Sequence, residues 1–210
     1  SSEAVDFALL KDGKLIELHK EQETSNFQVG DIFIAKIRKP VAGLNAAFVN
    51  VGYEKDAFLH YHDLGPNLAS QLKFIKLVSA GKIKDFSLKN FQFEKEIDKD
   101  GTITDVLNAN QSVLVQVVKE PISTKGPRIS AELSLAGRFI VLVPFSDRVS
   151  ISQKIEDKKE KDRLKKLVQS IKPKGFGVIV RTVAEGKKVA ELEKDLQNLL
   201  SRWTAMCKKL

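Results

Sequence analysis

The sequence predicts an α+β chain: a closed five-stranded β-barrel with one long insertion, followed by a small α/β region. Three observations lead there. Short β-type runs bounded by Gly, Asn and Pro fill the first part of the chain. A long interruption, residues 64–110, separates the third of the barrel runs from the fourth. From Arg138 onward the apolar spacing changes to threes and fours, the period of amphipathic helices.

In chain order, Val5 to Leu18 reads as a hairpin, because apolar residues flank the turn signal Lys11-Asp12-Gly13. A polar stretch, Lys20 to Asn26, follows. The barrel runs are Asp31 to Arg38 with Ile32, Ile34 and Ile37, then Ala46 to Val51 with Phe48, Val49 and Val51, then Ala57 to Tyr61. Gly43, Asn45, Gly52 and Pro66 punctuate them. The insertion holds a helical pattern near Ser70 to Val78 and a charged stretch, Phe91 to Gly101; loops of that length are uncommon inside compact domains, so it is expected to sit on the barrel as an excursion. Val113 to Val118 and Arg128 to Leu133 complete the set. Five short strands with one excursion suit a small barrel of the oligonucleotide-binding kind, with a β-sandwich as the alternative. Beyond Glu132, Phe139 to Val143 and Val149 to Ser152 are strand candidates. Glu156 to Ile171 is an amphipathic helix through Leu164, Leu167, Val168 and Ile171. Gly177 to Arg181 reads as a buried strand, and Lys188 to Leu210 as a helix through Leu192, Leu196, Leu199, Trp203 and Met206. The expected segments are therefore 1–29, 30–131 and 132–210.

Composition narrows the function. Lys plus Arg number 35 against 27 Asp plus Glu, a net charge of +8, and 42% of residues are hydrophobic; with 12 Gly and 6 Pro this is neither a disordered nor a collagen-like chain. No apolar run approaches the roughly eighteen residues a membrane span needs. Cys207 stands alone, so no internal disulfide forms, and His19, His60 and His62 give no zinc spacing; a reducing cytoplasm is the expected compartment. No Ser-His-Asp set, no Gly-Lys-Ser phosphate loop and no acidic metal pattern is present. Asp98 and Asp100 read as solvated loop residues.

Two groups of residues point toward nucleic acid. Phe48 and Phe58 lie on neighbouring strands, where exposed rings stack bases, and Lys36, Arg38, Lys119 and Lys125 supply phosphate contacts if they share that face. Periodicity alone favours both rings as core. The second group is Arg181-Thr182 at the end of an apolar strand: a guanidinium grips a phosphate through two parallel bonds and a hydroxyl adds a neutral donor. Loop amides and the following helix N-terminus are further candidate donors. The nine basic and four acidic residues between Lys154 and Lys174 read as a solvated helix face.

Six stretches carry a resemblance. They are Ala46-Ala47-Phe48-Val49-Asn50-Val51-Gly52 with Ala57-Phe58-Leu59-His60, then Lys125-Gly126-Pro127-Arg128-Ile129-Ser130, then Leu135-Ala136-Gly137-Arg138 with Val149 to Glu156, and Val178 to Gly186. In this order they resemble the bacterial ribonuclease E/G family of endoribonucleases, on the side of its ribonuclease G branch. The resemblance implies that the hairpin belongs to an RNase H-like subdomain, that the barrel is an S1-type RNA-binding (OB-fold) module, and that residues from Glu132 form a 5′-sensor region. It implies that Arg181 and Thr182, helped by the backbone of Gly137 and Val141, bind the 5′-monophosphate of single-stranded RNA, and that Phe48, Phe58, Lys119 and Lys125 contact the strand. It further implies a cytoplasmic enzyme of rRNA processing and mRNA turnover that uses Mg²⁺ and forms a homo-oligomer. The catalytic aspartates of that family lie in a DNase I-like subdomain C-terminal to the sensor, so this chain is expected to bind RNA without cleaving it and to need no cofactor itself.

Overall fold

The computed structural model describes residues 4–22, 27–121 and 125–210, with side chains of 8–18 in the first of these segments. The polar stretch Lys20 to Asn26 therefore lies largely outside them. Strands β1 (Ala4–Lys11) and β2 (Lys14–Gln22) form the expected antiparallel hairpin. Asp12 and Gly13 both have positive φ, 51° and 73°, the geometry a two-residue turn needs to match strand twist. Leu9, Leu10, Leu15, Ile16 and Leu18 on this hairpin are exposed.

The barrel is closed in the order β3-β4-β5-β7-β6, which settles the choice against a sandwich. Its strands are β3 (Ile32–Val41), β4 (Ala46–Asn50), β5 (Ala57–His60), β6 (Ser112–Lys119) and β7 (Arg128–Ser130). Alternation decides what faces inward: Ile37, Val49, Leu59, Val113, Val115 and Ile129 fill the interior and are fully buried.

Between β5 and β6 the long excursion acts as a brace. Its helix α1 (Leu68–Ser79) buries Leu68, Gln71, Phe74 and Ile75. The buried Gln71 amide donates to the Ala131 carbonyl at 2.8 Å and accepts from the Leu114 amide at 3.2 Å, tying α1 to β6 and to the exit of β7. The charged stretch folds back on the barrel: Tyr61 Oη donates to the Asp98 carbonyl at 2.6 Å, and the Asn45 side chain bridges the Gly101 carbonyl and the Ile103 amide at the start of α2 (Ile103–Val106).

The remaining strands, β8 (Leu135–Ala136), β9 (Ile140–Pro144), β10 (Val149–Ile151) and β11 (Phe176–Val180), make a sheet in the order β10-β11-β9-β8. β10 and β11 are parallel and joined by α3 (Lys158–Ile171), which buries Leu164 and Val168 and is capped by the Asp157 carboxylate accepting from the Lys159 amide. α4 (Val189–Cys207) buries Leu192, Leu196, Leu199, Trp203 and Cys207 at helical spacing. Trp203 is the hub: the rings of Phe74, Phe145 and Phe176 lie 5.7–5.9 Å from it, and its indole N–H donates to the Phe86 carbonyl at 2.8 Å. The excursion thus contributes Phe74, Phe86, Leu88, Phe91 and Phe93 to the second core. Burial pushes the Cys207 thiol up to about 12, so it is a packing group.

Candidate nucleic-acid interface

One row of residues crosses all five barrel strands. Lys39 on β3 stands opposite Phe48 on β4, Phe48 opposite Phe58 on β5, Phe58 beside Arg128 on β7, and Arg128 opposite Lys119 on β6. Opposed residues share a face, and this one is outward, since the alternating neighbours Ala47, Val49, Ala57, Leu59 and Ile129 are buried. Phe48 is 37% exposed and Phe58 is half-buried, with ring centroids 6.1 Å apart in an edge-to-face pair. The core placement that periodicity favoured for these rings does not hold.

The predicted cations divide. Lys36 stands opposite Asn50, two residues from Phe48 and on its side of the sheet, and Lys119 is in the row itself. Arg38 pairs with Asp56 at 3.3 Å. Lys125 is exposed and precedes Gly126, where a Cβ would come within 2.5 Å of the Asp56 carbonyl oxygen; Lys125 and Arg38 therefore mark one end of the face. Lys39 and Arg128 are not among the contact residues expected from the sequence. A register shift between Ile37 and Lys39 brings Lys39 level with Phe48, which simple alternation does not reveal. Arg128 is held by the Asp63 carboxylate through bonds of 2.9–3.2 Å.

The second group gathers where β11 ends. Arg181 is exposed and makes no ion pair among the described residues; its Nη1 donates to the Gly137 carbonyl at 2.7 Å, and its own amide donates to the Phe139 carbonyl at 2.8 Å. One guanidinium edge is thereby fixed. The Thr182 hydroxyl lies 2.9 Å from that of Ser152, which is placed beside it because the Ser152 amide continues the β10 pairing onto the Val180 carbonyl. Val141 sits within the sheet, level with Ala136 and Ile179.

Backbone amides contribute less than expected. The Gly137 amide donates to the Ile140 carbonyl, and the amides of 138, 139 and 140 all donate to the Asp195 carboxylate on α4 at 2.8–3.1 Å. Gly137 supplies a carbonyl for Arg181 and room for that carboxylate, whose oxygens an added Cβ would approach to 2.6 and 2.7 Å. Loop amides 184 to 187 are likewise bonded internally, the Gly186 amide to Glu160, and the first turn of α4 is closed by Glu191. Arg181, the two hydroxyls and the amides of 182 and 183 remain as donors for an anion. Asp195 carries a sequence signal: it lies three residues after Leu192 and four before Leu199, on the apolar face of α4.

Glu160 and Arg163 lock the loop behind this site. They share two bonds of 2.6 Å, Glu160 accepts from Gly186, and Arg163 donates to the Lys187 carbonyl. The Arg163 hydrogen bonds hold the Glu160 carboxyl down at about 2, aided by the Gly186 amide and against burial. Among the described residues no three His, Cys, Asp or Glu side chains converge on a metal-sized site, and no helix is long and apolar enough to cross a membrane.

Residues 134–210 match the family model described as Ribonuclease E/G family. The chain is 37% identical over 184 residues to "Ribonuclease E" of a Nostoc species, covering 87% of this chain and 23% of that protein. It is 33% identical over 202 residues to "Ribonuclease G" of Escherichia coli, covering 96% and 37%, and 35% identical over 181 residues to "Ribonuclease E" of a Synechocystis species, covering 86% and 23%. Relatives of both names match at comparable identity, so similarity does not separate the two branches. The chain spans 23–37% of the length of these relatives. It belongs to the ribonuclease E/G family.

Proposed function

We propose that this chain is the RNA-binding and 5′-end-sensing part of a ribonuclease E/G-type endoribonuclease that acts in the cytoplasm in rRNA processing and mRNA turnover. Family membership supports RNA as the ligand. The barrel, read as an S1-type module, takes single-stranded RNA across its outward row, where bases stack on Phe48 and Phe58 and phosphates meet Lys36, Lys39 and Lys119. Arg181 and Thr182 receive the 5′-monophosphate.

The observation that carries this reading is the state of Arg181: oriented by the Gly137 carbonyl, exposed, and without an ion pair among the described residues. A terminal monophosphate has more charge than an internal diester and offers free oxygens to the guanidinium, and the hydroxyl of Thr182, the next residue in the chain, adds a neutral donor. A hydroxyl end gives Arg181 nothing to pair with. Selection here rests on charge.

Hydrolysis by the parent enzyme is read as Mg²⁺-assisted, the ion activating water and stabilising charge on phosphate oxygens. No cleavage step is assigned to the described residues. The test is fluorescence anisotropy of short oligonucleotides with 5′-monophosphate or 5′-hydroxyl ends. The unmutated chain binds the phosphorylated form more tightly, and Arg181→Ala removes the difference. Equal binding of both ends by the unmutated chain leaves only a general RNA-binding module.

A further inference from the structure

Two more rings stand in line with the phenylalanines. Phe58 and His60 are two residues apart on β5 and point to one side; their ring centroids are 6.4 Å apart, tilted by 36°. His62 follows in the turn 61–63, its ring 5.0 Å from His60 at the same tilt. With Phe48 6.1 Å from Phe58, four rings form a continuous file on the barrel surface.

The far end of the file is held in position. The His62 amide donates to His60 Nδ1 at 3.2 Å, the buried Tyr61 between them is anchored through its hydroxyl to the Asp98 carbonyl, and the Ala131 amide donates to the Asp63 carbonyl at 2.8 Å. With Nδ1 accepting from the His62 amide, Nε2 is the ring nitrogen left to donate to a base or phosphate oxygen. His60 is half-buried and His62 exposed, so both offer ring surface.

We infer that His60 and His62 extend the single-strand contact from two stacked bases to four. This rests on the reading of the barrel face as an RNA surface. The strand passes Phe48 and Phe58, follows β5 and ends over the turn at His62, so a longer oligonucleotide gains two stacking positions that a dinucleotide does not reach. Imidazole rings serve as stacking platforms for splayed bases in single-stranded RNA recognition.

The experiment uses the whole chain and a 5′-monophosphorylated octauridylate in which a single abasic residue is moved one position at a time. Each lost stack weakens binding by about 5- to 150-fold. The unmutated chain shows a run of four sensitive positions, and His62→Ala removes the last of them while His62→Phe keeps it. His60→Asn deletes that ring but keeps an acceptor for the His62 amide, and removes the third position with the fold intact. Two sensitive positions in the unmutated chain, or histidine variants that bind like it while Phe48→Ala weakens binding, would overturn the extension and leave the barrel reading standing. Phe48→Ala without effect would overturn the barrel reading itself.

Discussion

Replacing Gly137 by alanine tests how the terminal site is held together. The new Cβ would lie 2.6 and 2.7 Å from the Asp195 carboxylate oxygens and 2.9 Å from Cγ, well inside contact distance. The carboxylate cannot swing aside freely, because it accepts from three amides at 2.8, 3.1 and 3.1 Å. Hydrogen bonds to a charged group contribute about 1.5–3 kcal/mol each; with one exposed amide and one carboxylate shared by three donors, about 2–3 kcal/mol is reasonable for the set. Asp195→Ala should lose that amount, and Gly137→Ala a similar amount by displacing the same group. In the Asp195→Ala background the conflict is gone and Gly137 is outside the left-handed region, so adding alanine should cost nothing or stabilise by about 0.4–1 kcal/mol. The double variant is then less destabilised than the sum by about 2 kcal/mol or more. Urea unfolding followed by Trp203 fluorescence reads all four states, since that indole sits in the core α4 builds. Additive effects, within about 0.5 kcal/mol, would refute the reasoning.

Other expectations follow from single contacts. Gln71→Ala strands the Leu114 amide and the Ala131 carbonyl in a buried site and should cost about 2–4 kcal/mol in the same unfolding assay. Glu160 has a folded value of about 2 against 4.5 for the free group, so its contribution is full above about 4.5 and is lost as pH falls toward 2; Glu160→Gln should flatten the acid limb of a stability-against-pH curve in that window. Phe48→Ala and Phe58→Ala should each weaken RNA binding by about 1–3 kcal/mol in anisotropy titrations. Either change also removes the edge-to-face pair and should cost about 0.5–1.5 kcal/mol in the unfolding assay. RNA affinity should also fall steeply with salt as phosphate contacts release counterions, which a titration from low to moderate ionic strength reads directly.

The barrel strands and all three long helices are legible in the sequence because each is set by its own residues: Ile, Val and Phe runs for strands, threes and fours of Leu for helices. What local pattern cannot carry is partnership. The two-residue strand Leu135–Ala136 exists only through its pairing with β9, and nothing within those two residues marks a strand. The excursion reads as a surface insertion until its phenylalanines are seen against Trp203. At the site the same division holds. Arg181 and Thr182 stand out at a strand end and in the family resemblance, whereas Ser152 enters through the parallel pairing of β10 with β11. Lys39 is hidden by the shift in β3 register. Amides that look available on a loop are spoken for by Asp195 and Glu160, a matter of tertiary packing.

Recognition of the RNA terminus is tested most directly by nuclear magnetic resonance of the Arg181 guanidinium, assigned with Arg181→Lys. Titration with a 5′-monophosphorylated tetranucleotide should shift the Arg181 Nε–H and Thr182 amide signals, and the 5′-hydroxyl tetranucleotide should leave both unmoved while still shifting residues around Phe48. Shifts confined to the barrel with either ligand, or identical Arg181 shifts with both, would contradict the assignment of Arg181 and Thr182 as the 5′-phosphate site.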